Sequence, residues 1–444
     1  MNLFLRWIFG IVFLAMGLDA AWHLEPGRRP RSAIDRLPFK TVRDMKTIPQ
    51  NPAYYARQLR PIPRSKQLRY DRDYNRRYFE PWNKGYRIDE PEEELLWMIP
   101  FVQKREIYDG HRRKIPQRLK KRWIRNARME KLGSVGARAI SVRHTDMRAL
   151  PTDTPAYRNP WKNTEGFPFD YFQHSELHIN VPLYLSHYSA DGKWAFVQAA
   201  HANGWVKVRD IALVNDRFVK AFKTGRYFVT IRDDLWLKNG KKRISLIKLS
   251  TLFPLDRSGK WLLAAERGPG GVALLRRVIP PSRRLAAPKP LPFTPKNVAM
   301  IARQLYGEPY GWGGKMMTRD CSATTRDFFA VFGIFLKRNS AKQAEEGKKI
   351  RIKGLPKAKK KATILKYAKP FRSLLYVPGH ITLYLGRYKG EPVVMHTYWG
   401  VRLKDWSKYP LCRTIITTTE PGKELRNIRE KSKLINTLQQ INTF

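Results

Sequence analysis

The chain has 444 residues, 42% hydrophobic and 12% aromatic, which excludes global disorder and allows roughly two to four packed domains. Lysine and arginine number 86 against 37 acidic residues, a formal net charge of +49. That balance favours polyanionic partners, whether nucleic acid, anionic lipid headgroups or the charged polymers of a cell envelope, without choosing among them.

Residues 1–21 open with Arg6 followed by the apolar run Trp7 to Leu18, and Ala15-Met16-Gly17 offers a small-x-small cleavage pattern. This predicts a secretory signal, hence an exported protein of the periplasm or cell envelope. The run is shorter than the roughly 20 residues that span a bilayer comfortably. An uncleaved N-terminal anchor and a buried N-terminal helix are the competing readings. Residues 22–136 are rich in Arg, Pro and Tyr, with helical patterns only around Pro91 to Val102 and Ile115 to Met129. They predict an extended or loosely helical segment that packs onto something else.

From 137 to 215 the pattern turns to short strands. Leu177, Ile179, Val181, Leu183 and Leu185 alternate with polar residues as one strand, followed by a turn at Asp191-Gly192 and a strand from Lys193 to Gln198. Gly204-Trp205-Val206 closes this unit. Ser258-Gly259-Lys260-Trp261 and Gly271-Val272-Ala273 echo the same phrase within 216–279, a weak internal repeat that predicts two small β-barrels. His174 and His178 lie on the polar side of a strand in this reading, which does not suit a metal-binding helix. The proline-dense stretch 280–293 predicts an extended linker. Thr294-Pro295 then starts a helix running to about Leu305, and 294–444 forms the last domain.

Candidate chemistry gathers in that last domain. Asp320 is a good N-cap, which puts Cys321 at the first position of a helix, where the dipole and free N–H groups favour a thiolate. Glycines at 311, 313 and 314 permit the close backbone approach that a substrate cleft requires. Cys412 sits in a strand-like stretch and reads as an ordinary structural thiol, which argues against a disulfide between the two cysteines. A thiol nucleophile needs a base, and only two histidines follow Cys321. In a hairpin of 379–386 with 392–397, Thr382 faces His396 and His380 is its same-face diagonal neighbour, so that one imidazole can serve as base and the other can orient it.

Tyr310-Gly311-Trp312-Gly313-Gly314, Asp320-Cys321-Ser322, Pro378-Gly379-His380 and His396 resemble the motifs of NlpC/p60-type papain-like cell-wall cysteine peptidases. Arg338-Asn339-Ser340 with Gln343, residues 145–152 and Phe79-Glu80-Pro81-Trp82 resemble the subgroup that carries an N-terminal clip segment and two bacterial SH3-like domains. The resemblance implies a multidomain α+β protein in which two SH3-like β-barrels precede a papain-like catalytic domain. It implies Cys321 as nucleophile, His380 as base, His396 as orienting residue, and Tyr310, Trp312, Asp320 and Ser322 as substrate-site residues, with no metal or organic cofactor. The implied substrates are peptidoglycan stem peptides, cut between γ-D-glutamate and a diamino acid, and free peptides with an exposed L-Ala amine in preference to intact polymer. Two departures stand out: Ala323 follows Ser322 where many relatives have Gly, and 342–369 is unusually lysine-rich. Nucleic acid is disfavoured as a partner because the basic residues are spread through all regions. The rival expectation is a catalytically idle envelope protein that binds polyanions or wall polymer through its charge.

Overall fold

The computed structural model describes residues 22–280 and 282–444, so the apolar run at 1–21, with the secretory signal expected there, lies outside the described residues. No helix among the described residues is long and apolar enough to cross a membrane.

The segment after residue 22 is more ordered than its composition suggests. Trp22–Pro26 is a strand, and short helices follow at Asp44–Thr47, Pro52–Ala56, Glu92–Leu96, Met98–Lys104 and Gln117–Ala127. The longest helix among the described residues, Arg64–Tyr78, has no apolar stripe to announce it. Its buried face is Gln67, Asp71, Tyr74 and Tyr78, spaced at helical intervals but polar. Gln67 donates to the carbonyls of Leu291 and Phe332 at 2.6 and 3.1 Å, Asp71 pairs with Lys289, and the Tyr78 hydroxyl donates to the Asn180 carbonyl at 3.0 Å. The segment clamps the rest of the molecule: Tyr55, Leu59 and Ile62 enter the core of the last domain, while Phe79 and Trp82 join Phe218, Phe222 and Tyr227.

Two SH3-like β units follow. The first is a seven-stranded sheet in the order Gln173–Leu177, Thr145–Arg148, Asn203–Lys207, Trp194–Gln198, Pro182–Tyr188, Ala137–Ser141 and Ile211–Leu213. The single strand expected through residues 177–185 is two, broken at Asn180, which adopts φ 71°. Asn180 uses its amide to bond the second unit, donating to Leu252 O and Leu263 O at 3.0 and 3.2 Å and accepting from Ala265 N at 2.9 Å. Because Ile179 and Val181 on either side are both buried, the alternation ran through the turn unmarked.

In the second unit Lys242–Ile247, Leu235–Asn239, Trp22–Pro26, Ala273–Val278 and Leu262–Arg267 form one sheet in that order. The internal repeat corresponds to matching turns. Asp191 accepts from Lys193 N at 3.1 Å and Ser258 Oγ from Lys260 N at 3.2 Å, with Gly192 and Gly259 both at positive φ. From Leu285 to Phe293 the proline-dense stretch is docked on its neighbours. Ala286–Pro288 pairs antiparallel with Tyr227–Thr230, Leu291 and Phe293 are buried, and the Lys289 ammonium lies 3.8 Å from the centre of the Tyr74 ring. Prolines restrict its conformation, but backbone pairing and an ion pair decide its place.

The last domain is a six-stranded antiparallel sheet ordered Lys348–Arg351, Gln440–Thr443, Ser373–Val377, His380–Tyr388, Glu391–Arg402 and Lys408–Thr418. The helices Pro295–Leu305 and Cys321–Val331 pack on it through Ile301, Leu305, Phe328 and Phe329. Every residue from Ser322 to Val331 is buried, including Arg326 and Asp327, because this helix is enclosed by the sheet and by both β units.

Candidate active site

The Asp320 carboxylate accepts the Ala323 N–H at 2.9 Å and starts the helix, so Cys321 is its first residue. The other oxygen accepts the Gly313 N–H at 3.1 Å. Arg338 grips both carboxylate oxygens at 3.0 and 2.8 Å and also donates to the hydroxyls of Ser322 and Ser175, at 2.9 and 3.1 Å. Burial opposes ionisation of Asp320, but Arg338 and the two N–H groups outweigh it and hold the carboxyl below its usual range. Gln343 donates to Ser322 O at 2.8 Å and accepts from Thr325 Oγ1 at 2.6 Å, steadying the same turn.

The thiol itself is not the thiolate that the helix start suggested. Burial, then the neighbouring Asp320, push Cys321 up to about 12, against smaller help from the Ile381 and Ser322 N–H groups that bond the sulfur. The helix terminus is a local influence; enclosure by the surrounding domains is larger and was invisible locally. The glycines serve differently as well. A Cβ on Gly313 would sit 2.4 Å from Gln173 O, and one on Gly314 would overlap the Glu176 carboxylate. The close approach they allow is to the first β unit.

The histidine hairpin has the expected register, Leu383 facing Met395 and Tyr384 facing Val394. His380 Nε2 and His396 Nδ1 are 2.9 Å apart, and His396 Nε2 lies 3.1 Å from Thr417 Oγ1. The direction of this chain follows from its far end. The Thr417 hydroxyl donates to Thr418 O at 2.8 Å, and a carbonyl only accepts, so a lone pair of Thr417 faces His396. His396 therefore carries its proton on Nε2 and accepts at Nδ1, and His380 carries its proton on Nε2, which leaves its Nδ1 as the base. Burial and then the Lys408 charge push His380 down to about 3, and burial with His380 beside it keeps His396 well below its ordinary value. Both rings are neutral at neutral pH. Tyr398 stacks on His396 at 4.7 Å and lies 5.0 Å from His380.

Aromatic side chains of the first β unit and the last domain pack together beside the site. Phe169, from the first β unit, meets Tyr310, Trp312 and Trp399 at 6.0, 5.4 and 4.9 Å, and Tyr171 reaches Trp312 at 5.9 Å. The seven residues singled out from sequence thus fall into three groups: Asp320, Cys321 and Ser322 around Arg338; His380 bonded to His396; and Tyr310 with Trp312 in the aromatic wall. Cys412 is a buried free thiol, and Cys321 is likewise unpaired to any disulfide. Among the described residues no His, Cys, Asp and Glu cluster could hold a metal ion. Thr417, Tyr398, Lys408, Phe169 and Tyr171 were not anticipated. Tyr398 follows His396 by two residues on one strand and so shares its face, whereas only the pairing of Glu391–Arg402 with Lys408–Thr418 brings Thr417 and Lys408 to this side, and nothing local marks those two.

Family models match three stretches: "NLPC_P60 stabilising domain, N term" at residues 11–132, "SH3 domain (SH3b1 type)" at 155–207, and "NlpC/P60 family" at 307–407. The last span contains Tyr310, Trp312, Asp320, Cys321, Ser322, His380 and His396. The chain belongs to the NlpC/P60 family. Among solved structures, this NlpC/P60 protein is similar to an NlpC/P60 endopeptidase from Photobacterium damselae subsp. piscicida. The two are 21% identical with a TM-score of 0.82, and the match covers 91% of this chain and 99% of that one. An NlpC/P60 family protein from Bacillus cereus ATCC 10987 matches at 14% identity and a TM-score of 0.45, over 69% of this chain and 99% of that one. The Photobacterium likeness is one of fold, and it spans the clip segment, both β units and the catalytic domain. No curated protein matches the chain.

Proposed function

We propose that this NlpC/P60 protein is a cell-wall cysteine peptidase that hydrolyses peptidoglycan stem peptides at the γ-D-glutamyl–diamino acid bond. The observation that carries the reading is the directed chain from Thr417 through His396 to His380, which leaves one unprotonated ring nitrogen as base in the site of Cys321. With both thiol and imidazole neutral at rest, the proton moves from Sγ to His380 Nδ1 as the sulfur attacks the glutamyl carbonyl. The Ala323 and Thr324 N–H groups are already taken by Asp320 and that of Ser322 bonds the sulfur, so the Cys321 N–H stands at the open helix end for the oxyanion. His380 then hands its proton to the leaving amine, a thioester to Cys321 remains, and water resolves it.

The wall of Phe169, Tyr171 and Trp312 stops the acyl end of the cleft, which favours free peptides with an L-Ala amine over intact polymer. Residues 1–21, read as an export signal, would bring the enzyme to the envelope where such peptides arise. The test is release of L-Ala-D-Glu from L-Ala-γ-D-Glu-meso-diaminopimelate, followed by mass, for wild type and Cys321→Ala. Release by the wild type alone supports peptidase, bond and nucleophile together. Release by neither, repeated on muropeptides, would leave the idle envelope-binding protein as the better reading.

A further inference from the structure

Lys408 opens the strand Lys408–Thr418, in register with Arg402 across the last strand pair of the catalytic sheet. Its side chain turns inward. Nζ donates to Gly400 O at 3.0 Å and lies 5.8 Å from the centre of the Tyr398 ring, the ring that flanks His380 and His396. The ammonium is thus on the histidine side of the site, near enough for its charge to act on His380.

Several buried lysines have carboxylates, while Lys120 and Lys360 rest on main-chain carbonyls. Lys248 holds Asp233 and Asp234 at 2.7 and 2.8 Å, Lys361 holds Glu391 at 2.7 Å, and Lys289 pairs with Asp71. Lys408, like Lys120 and Lys360, has only a main-chain carbonyl, but unlike them it lies against the ring that flanks the histidines, and the charge that acts on it besides burial is the like-signed Arg402. Among the described residues no carboxylate lies within ion-pair distance of it. A largely buried ammonium without an anion costs stability, and one kept beside a reaction centre marks a place for a charge brought from outside.

We propose that Lys408 is the specificity-determining residue for the leaving half of the substrate, where it receives a carboxylate carried by the residue on the amine side of the scissile bond. The proposal rests on the peptidase reading above. The acyl half lies between Cys321 and the aromatic wall of Trp312, Phe169 and Tyr171. The leaving nitrogen must meet His380 to take its proton, so whatever lies beyond His380 toward Tyr398 and Lys408 belongs to the leaving residue. A diamino acid whose far end bears a carboxylate beside its ammonium sets an anion against Lys408. One that ends in a bare ammonium sets cation against cation.

The experiment compares kcat/KM on L-Ala-γ-D-Glu-meso-diaminopimelate and L-Ala-γ-D-Glu-L-Lys for wild type, Lys408→Met, Lys408→Glu and Lys408→Arg. The expected wild-type preference for the diaminopimelate peptide is on the order of 10²-fold, carried mainly by KM. Lys408→Met should erase it, Lys408→Glu reverse it and Lys408→Arg retain it. Calorimetric binding of the two uncut peptides to Cys321→Ala, with and without Lys408→Met, should show the same loss of preference without relying on turnover. Equal use of both peptides by the wild type, or an equal loss on both in Lys408→Met, overturns the assignment while leaving the peptidase standing. A wild type that cleaves neither peptide removes the peptidase reading and this one with it.

Discussion

The two β units share a hairpin and a turn, yet they meet the catalytic domain in different currencies. The first gives surface to the cleft: Phe169 and Tyr171 face Trp312, Gln173 and Glu176 cradle the glycine loop, and Ser175 shares Arg338 with Asp320. The second gives buried charge. Asp233 takes Arg319 at 2.8 and 2.9 Å and Lys248 at 2.7 Å, and Arg319 also holds Glu308 and Asp327, each at 2.7 Å. A shared hairpin and turn are therefore no guide to role; what matters is which strand edge or loop each unit turns toward the cysteine helix.

Arg319→Met should expose that difference most strongly. It leaves Asp233 and Glu308 to Lys248 and Asp327 to Arg326, and removing a buried partner in this way costs up to about 3–5 kcal/mol. Denaturant unfolding should show a large fall in midpoint, with KM of the folded enzyme unchanged; an unaltered midpoint would mean that the second unit is not held by charge.

Acid should act on the other unit. His174 and His178 are pushed down to about 4 by burial, and His144 and His201 well below their ordinary value; all four belong to the first unit, and residues 216–279 contain no histidine. Their folded values lie below the unfolded ones, so the unfolded chain binds protons first as pH drops. The stability they contribute is complete above about pH 6.5 and is lost progressively toward pH 4, roughly 1–2 kcal/mol for each histidine between pH 7 and 5. Asp233 and Asp327, held far below the usual carboxylate range, keep the second junction until stronger acid. Hydrogen exchange at pH 7 and 5 should show amides of 137–215 losing protection before those of 216–279, and simultaneous loss would break the distinction.

The smallest effect is expected from Tyr171→Ala. The ring is half-buried and stacks on Phe101 at 5.1 Å, so stability should fall by only about 1 kcal/mol. KM should nevertheless rise about tenfold, since one interaction of about 1.4 kcal/mol with the acyl half is worth that factor. A change in kcat with KM intact would argue that the first unit positions Cys321 instead of bounding the substrate.

The parts of the site that were readable from sequence are those set by neighbours along the chain. Asp320 before Cys321 gave the helix start, and alternation around His380 and His396 gave the hairpin register. Thr417 was not readable, because only the pairing of the last two long strands brings it to His396. The helix Arg64–Tyr78 was hidden for a related reason: its inward face is satisfied by hydrogen bonds and an ion pair to residues more than two hundred positions away, so it lacks the apolar stripe that periodicity detects. The thiol was misjudged because a dipole acts within one turn, whereas desolvation depends on every domain packed around it.

Trp22–Pro26 lies inside the second unit's sheet, between Leu235–Asn239 and Ala273–Val278. A strand made more than two hundred residues before its partners must wait for them. The first unit can pair all seven of its strands from residues 137–213, but the second cannot close its sheet until the earliest described strand returns to it. Assembly therefore has an obligatory order, and the barrel that comes later in the chain is the one whose completion ties the clip segment down.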